Sequence, residues 1–96
     1  MWIAAGKVIL DFYGNQNIKQ KREQMGGLLG EIHKQFNVSA AEVADFDDLE
    51  RCVIGLALSA GTEQGARSAM KKVMNHIDTN GFARVWVEDT DIFGYD

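Results

Sequence analysis

Val38–Ala60 reads VSAAEVADFDDLERCVIGLALSA, two β-prone runs on either side of a turn that holds Asp45, Asp47, Asp48 and Glu50. The first run, Val38–Val43, is β-branched or small. The second, Arg51–Ala60, alternates so that Cys52, Ile54 and Leu56 share one side, and together the runs predict a hairpin. Outward from it in both directions the pattern changes to a helical period. On the N-terminal side Met25, Leu28, Leu29, Ile32 and Phe36 form an i, i+3, i+4 stripe, opened by Asn17 as N-cap with Gln20 three residues on. On the C-terminal side Ala66, Ala69, Met70, Val73, Met74 and Ile77 form a second stripe, opened by Thr62 and Glu63 and stopped by Asn80-Gly81.

Strands lie outside both helices. Trp2–Phe12 alternates, with Val8, Leu10 and Phe12 on one side and Lys7, Ile9 and Asp11 on the other, and Phe82–Asp89 closes the chain. The order βαββαβ with right-handed crossovers predicts an α+β, ferredoxin-like domain over residues 1–96. Its four-stranded antiparallel sheet has the order 4-1-3-2, and both helices cover one face. Met25, Leu29, Ile32, Ile54, Leu56, Met70, Val73 and Val85 are expected in one core.

The chain has 96 residues, enough for one core and too few for two domains. A hydrophobic share of 46% and a charged share of 25% are those of a globular protein rather than a disordered or fibrous one. No apolar run approaches the ~18 residues of a membrane span, and Lys7 and Asp11 interrupt the N-terminal stretch, unlike a signal peptide. With one cysteine, Cys52, an internal disulfide framework is excluded, and a cytoplasmic location is expected.

The net charge of −4 is unevenly divided, since residues 1–37 carry +2 and residues 38–96 carry −6. The basic part includes Lys19, Lys21 and Arg22 in NIKQKREQM, Asn17–Met25, where a helix begins. Cations at a helix start cost roughly 0.3–1 kcal/mol each unless something compensates. In the expected topology the acidic turn 44–50 lies at the same end of the domain. Two readings stand: Asp45, Asp47 or Asp48 pairs with the cations, or an external anion such as an RNA phosphate meets them and the helix N–H groups.

Three segments, NIKQKREQM, FNVSAAEV (Phe36–Val43) and DLERCVIGLALSAG (Asp48–Gly61), resemble successive signatures of the bacterial YlxP-like proteins. The resemblance covers nearly the whole chain. It implies the same ferredoxin-like fold and a cytoplasmic protein, in a family whose own function is unknown. Genes of that family often lie among those for translation initiation and ribosome maturation, which implies an RNA or ribosomal context for Lys19, Lys21 and Arg22, the positions that match its basic helix start. The chain departs from the pattern at Asn17, where the family more often has Ser, at Gly26, Gly27 and Gly30, and at Glu50, where an aromatic residue is common.

The sheet face away from the helices is the second candidate surface. Parity puts Lys7, Ile9, Asp11, Val53, Gly55, Ala57, Arg84, Trp86 and Glu88 there, and Val85 and Val87 toward the helices. A register setting Ile9 opposite Trp86 also sets Asp11 against Arg84 and Lys7 against Glu88. The central strands offer no aromatic residue for base stacking, so Ile9, Val53 and Trp86 read as a patch for homodimerisation or a protein partner.

Enzymatic readings have little support. Cys52 falls on the buried side, His33 and His76 fall late in their helices, and no metal-ligand spacing connects them. The small acyl-phosphate hydrolases that share this topology need an arginine in the loop after the first strand, and Tyr13–Asn17 has none. The acidic turn matches no calcium loop. The sequence therefore predicts a non-enzymatic protein without metal or cofactor. It binds structured RNA or a ribosomal partner through Asn17, Lys19, Lys21 and Arg22, or alternatively it is a dimeric interaction module with no nucleic-acid contact.

Overall fold

The computed structural model describes residues 1–14 and 17–96. Its elements are β1 (Trp2–Phe12), α1 (Ile18–Gln35), β2 (Ser39–Ala44), β3 (Arg51–Ala60), α2 (Glu63–Asp78) and β4 (Ala83–Gly94). The strands form one antiparallel sheet in the order β2-β3-β1-β4, which is 4-1-3-2 read from the other edge. α1 packs toward the β2 edge and α2 over β4, β1 and β3. This is the ferredoxin-like arrangement expected from the element order.

Local chemistry sets the helix ends. Asn17 Oδ1 accepts from the Gln20 backbone N–H at 2.8 Å, and Thr62 Oγ1 accepts from Gly65 N–H at 2.9 Å, so each cap satisfies one of the N–H groups that a helix start leaves unpaired. After α2, Asn80 donates to the Ile77 carbonyl and accepts from Phe82 and Ala83 N–H, which turns the chain directly into β4.

The core lies between the helices and one sheet face. Val8, Leu10, Cys52, Ile54, Ile32 and Ile77 are fully enclosed there, with Met25, Leu28, Leu56, Met70 and Val73 nearly so. Leu29 and Val85 pack against this core but are partly exposed. Gly6 is a close approach that periodicity did not reveal, since a Cβ at this position would come within 2.8 Å of Met74 Cε and 3.0 Å of Met70 Sδ.

Two expectations about β4 are overturned. The strand runs to Gly94, five residues beyond the predicted end, because β1 pairs with it along its whole length back to Trp2. Much of the acidic C-terminal stretch is therefore edge strand rather than tail. A register shift also falls where Ile9 pairs with Val87 and Leu10 with Val85, leaving Trp86 as the extra residue of a bulge. An inserted residue inverts the parity beyond it. Val87, expected toward the helices, is 37% exposed on the open face, and Glu88 pairs with Val8 on the helix side. Lys7 therefore faces Asp89 rather than Glu88, while Asp11 opposite Arg84 is as expected.

Candidate functional site

At the start of α1 the three cations separate. Lys21 lies one turn before Met25 on the core-facing stripe and is 1% exposed. Its Nζ donates to the carbonyls of Asp45 and Phe46, lies 3.4 Å from Glu42 Oε1, and sits 5.8 Å from the centre of the Phe12 ring. Both carbonyls belong to the acidic turn, where Asp45 takes a positive φ of 59°. Lys21 is thus removed from the residues open to an external anion, and backbone oxygens with Glu42, rather than an aspartate carboxylate, provide its compensation. Arg22 remains exposed and approaches Asp47 at 3.7 Å. Lys19 is exposed, and Asn17 caps the helix as the sequence predicted.

Among the described residues the open sheet face carries four exposed large apolar side chains. They are Val43, Trp86, Val87 and Phe93, between 37% and 51% exposed. Val43 lies over Gly55, where a Cβ would meet its Cγ1 at 2.8 Å. Of the residues predicted for this patch, Trp86 is half exposed, Ile9 is partly covered, and Val53 is 8% exposed and belongs to the floor. Val43, Val87 and Phe93 were missed because Val87 depends on the bulge and Phe93 on the strand extension.

Beside this patch Asp11 holds two arginines. Arg51 Nε donates to Oδ1 at 3.2 Å and Arg84 donates to Oδ2 at 3.2 Å. Burial by itself would raise the Asp11 pKa, but the hydrogen bonds from Arg84 and Arg51 outweigh it and hold the carboxyl below its ordinary value. The Arg51 guanidinium lies 3.9 Å from the centre of the Trp86 ring, a cation–π contact that fixes its plane. Asp11, Arg51 and Arg84 line a cleft of about 650 Å³ with Phe12, Tyr13 and Glu50.

Cys52 is enclosed, and burial, reinforced by the Glu42 charge, pushes its thiol up to about 12, so it is a core residue and not a nucleophile at neutral pH. His33 Nε2 accepts from Ala40 N–H at 3.3 Å, joining α1 to β2, and His76 lies 3.1 Å from Glu31 and edge-on to Phe36. Among the described residues no three His, Cys, Asp or Glu side chains cluster as metal ligands, and no helix is long and apolar enough to cross a membrane.

Solved structures that share the fold include the following two. One is the solution structure of a de novo designed protein with a ferredoxin fold, at TM-score 0.52 and 15% identity, covering 99% of this chain and 87% of that one. The other is a mutant of SnoaB, a cofactor-independent oxygenase from Streptomyces nogalater, at TM-score 0.50 and 8% identity, covering 97% and 92%. At such identities the likeness concerns the fold alone. No curated protein matches the chain. A family model does match residues 3–90, and the chain belongs to that family, described as "Protein of unknown function (DUF503)".

Proposed function

We propose that the chain is a protein-interaction module that joins a second copy of itself through the open sheet face. The observation that carries this reading is the placement of Val43, Trp86, Val87 and Phe93, all large, apolar and 37–51% exposed, on the one sheet face the helices leave bare. The charges on that face balance, with Lys7, Arg51 and Arg84 against Asp11, Asp89 and Asp91, so it has no net attraction for a polyanion. They are also polarised. The arginines stand at the Asp11 end and Asp89 and Asp91 toward the other, so a two-fold axis that reverses strand direction sets the arginine end of one copy over the aspartate end of its partner. A face ~19 Å wide and ~30 Å long offers roughly 600 Å² per copy, at the low end of stable interfaces, and predicts a weak dimer.

The reading of RNA or a ribosomal partner at the helix start draws less support. With Lys21 turned inward and Arg22 beside Asp47, the exposed cations predicted there reduce to Lys19 and Arg22. Neutralising two phosphates gives a log–log salt slope of only about −2.

Sedimentation over a concentration series tests the proposal. Dimers are expected for the wild type, and folded monomers for Trp86→Arg and for Phe93→Lys. A wild type that stays monomeric up to about 1 mM, a concentration that reveals even millimolar affinities, overturns it. Retention of RNA that disappears in Lys19→Gln/Arg22→Gln would favour the other reading.

A further inference from the structure

We propose that the cleft at the end of β1 binds a small organic oxyanion, its carboxylate or phosphate held by the Arg51 and Arg84 guanidiniums and its ring or short apolar body lying against Tyr13. In the proposed dimer the same two arginines face the partner's aspartates, so the anion competes with self-association, and the titration that tests the site is run at a concentration where the chain is monomeric. The inference starts from the imbalance of one carboxylate between two guanidiniums. Each arginine gives a single N–H to Asp11, Arg51 through Nε and Arg84 through a terminal nitrogen. A guanidinium has five N–H donors in a rigid fork, so most of the donor capacity of the pair is directed elsewhere. Glu50 lines the same cleft, yet among the described residues it makes no ion pair with either arginine, so the two guanidiniums share the single carboxylate of Asp11.

Both guanidiniums are accessible while being held. The Arg51 and Arg84 side chains are 43% and 62% exposed, and each is anchored on one oxygen of the same carboxylate. Trp86 covers one face of Arg51 at 3.9 Å, which leaves the edge of that guanidinium as its hydrogen-bonding side. Two anchored guanidinium forks lining one cleft suit the planar or tetrahedral array of oxygens in a carboxylate or phosphate. Their anchoring removes part of the side-chain entropy that binding would otherwise cost.

The surroundings select the class of anion. The cleft of about 650 Å³ is within the ~300–1,000 Å³ range of small-molecule sites, larger than a bare phosphate needs. Tyr13, 71% exposed at its rim, offers an accessible ring surface. The acidic turn with Asp47 and Asp48 stands at the same end of the sheet, so an extended polyanion meets repulsion there that a compact monoanion or dianion avoids.

The test is an amide NMR titration of the full chain with phenyl phosphate, benzoate, inorganic phosphate and, as uncharged comparison, benzyl alcohol. Phenyl phosphate and benzoate are expected to move the resonances of Phe12, Tyr13, Arg51 and Arg84. Benzyl alcohol should bind at least about tenfold more weakly, the minimum loss for a charge-assisted hydrogen bond. Arg84→Gln should weaken phenyl phosphate by about tenfold with unfolding unchanged, and Arg84→Lys, which keeps the charge without the fork, should fall between. Unchanged affinity in Arg84→Gln, or shifts centred on Lys19 and Arg22, overturns the site. Inorganic phosphate binding as tightly as phenyl phosphate overturns the role given to Tyr13.

Discussion

Lys21 Nζ lies 3.4 Å from Glu42 Oε1 in a space solvent hardly reaches, the two side chains being 1% and 18% exposed. The pair joins the first turn of α1 to edge strand β2, and the same ammonium holds the Asp45 and Phe46 carbonyls of the following turn. A cation at a helix start is unfavourable for the helix alone. Here its long stem runs along the core and delivers the charge to three oxygens outside the helix, which offsets its desolvation.

Removing one partner of such a pair leaves the other poorly solvated. Lys21→Gln is expected to cost about 3–5 kcal/mol in urea unfolding, whereas Lys19→Gln and Arg22→Gln should stay within about 0.5 kcal/mol. In a double-mutant cycle Glu42→Gln should cost less in the Lys21→Gln background than alone. A Lys21→Gln protein as stable as the wild type would show that this network contributes nothing.

Leu56 sits near the middle of β3 at 4% exposure, surrounded by core. Leu56→Ala is expected to lower stability by about 2–5 kcal/mol without changing the far-ultraviolet circular dichroism. A loss as small as that of a surface substitution would contradict the packing of β3.

Gly26 and Gly30 lie inside α1, and among the described residues a Cβ at either meets nothing within 4 Å, so neither serves a close approach there. Gly26→Ala and Gly30→Ala should each raise stability, by up to about 1 kcal/mol, through helix propensity and a less flexible unfolded chain. Their melting temperatures measure it directly, and a fall at either position would mean that the flank does need its glycine.

The Cys52 thiol, raised to about 12 from an ordinary value of 9.0, gives a pH dependence with a definite sign. Because the folded protein holds the proton more tightly than the unfolded chain, the stability linked to this group is complete below pH 9 and is lost as pH rises toward 12. Cys52→Ala should flatten that part of the stability profile. In the native wild type at pH 8 a thiol reagent should react only at the rate of unfolding, and immediate stoichiometric labelling would exclude the buried position.

The caps at Asn17 and Thr62, the two helix stripes and the hairpin around the acidic turn were legible because each is specified over a few neighbouring residues. Period and capping chemistry are local, and the topology followed from the order of elements under a fixed crossover handedness. The buried state of Cys52 was readable for the same reason, from alternation along a single strand.

The destination of Lys21 and the composition of the open face were not readable in this way. Within α1 alone Lys21 is one of three similar cations, and only the approach of β2 with its turn supplies the carbonyls and carboxylate that draw it inward. The bulge at Trp86 arises in pairing β4 with β1, yet it decides that Val87 faces outward and Glu88 inward. Asp11 and Arg51 stand 40 positions apart, and the Asp11–Arg84 pair spans 73, so their meeting with Trp86 at one cleft exists only after the sheet is assembled. By itself the sequence determined the elements, their order and the apolar stripes that form most of the core, because these depend on short-range periodicity. Tertiary structure alone decided which charges are paired and which side chains share a surface, because long-range register and packing set those distances.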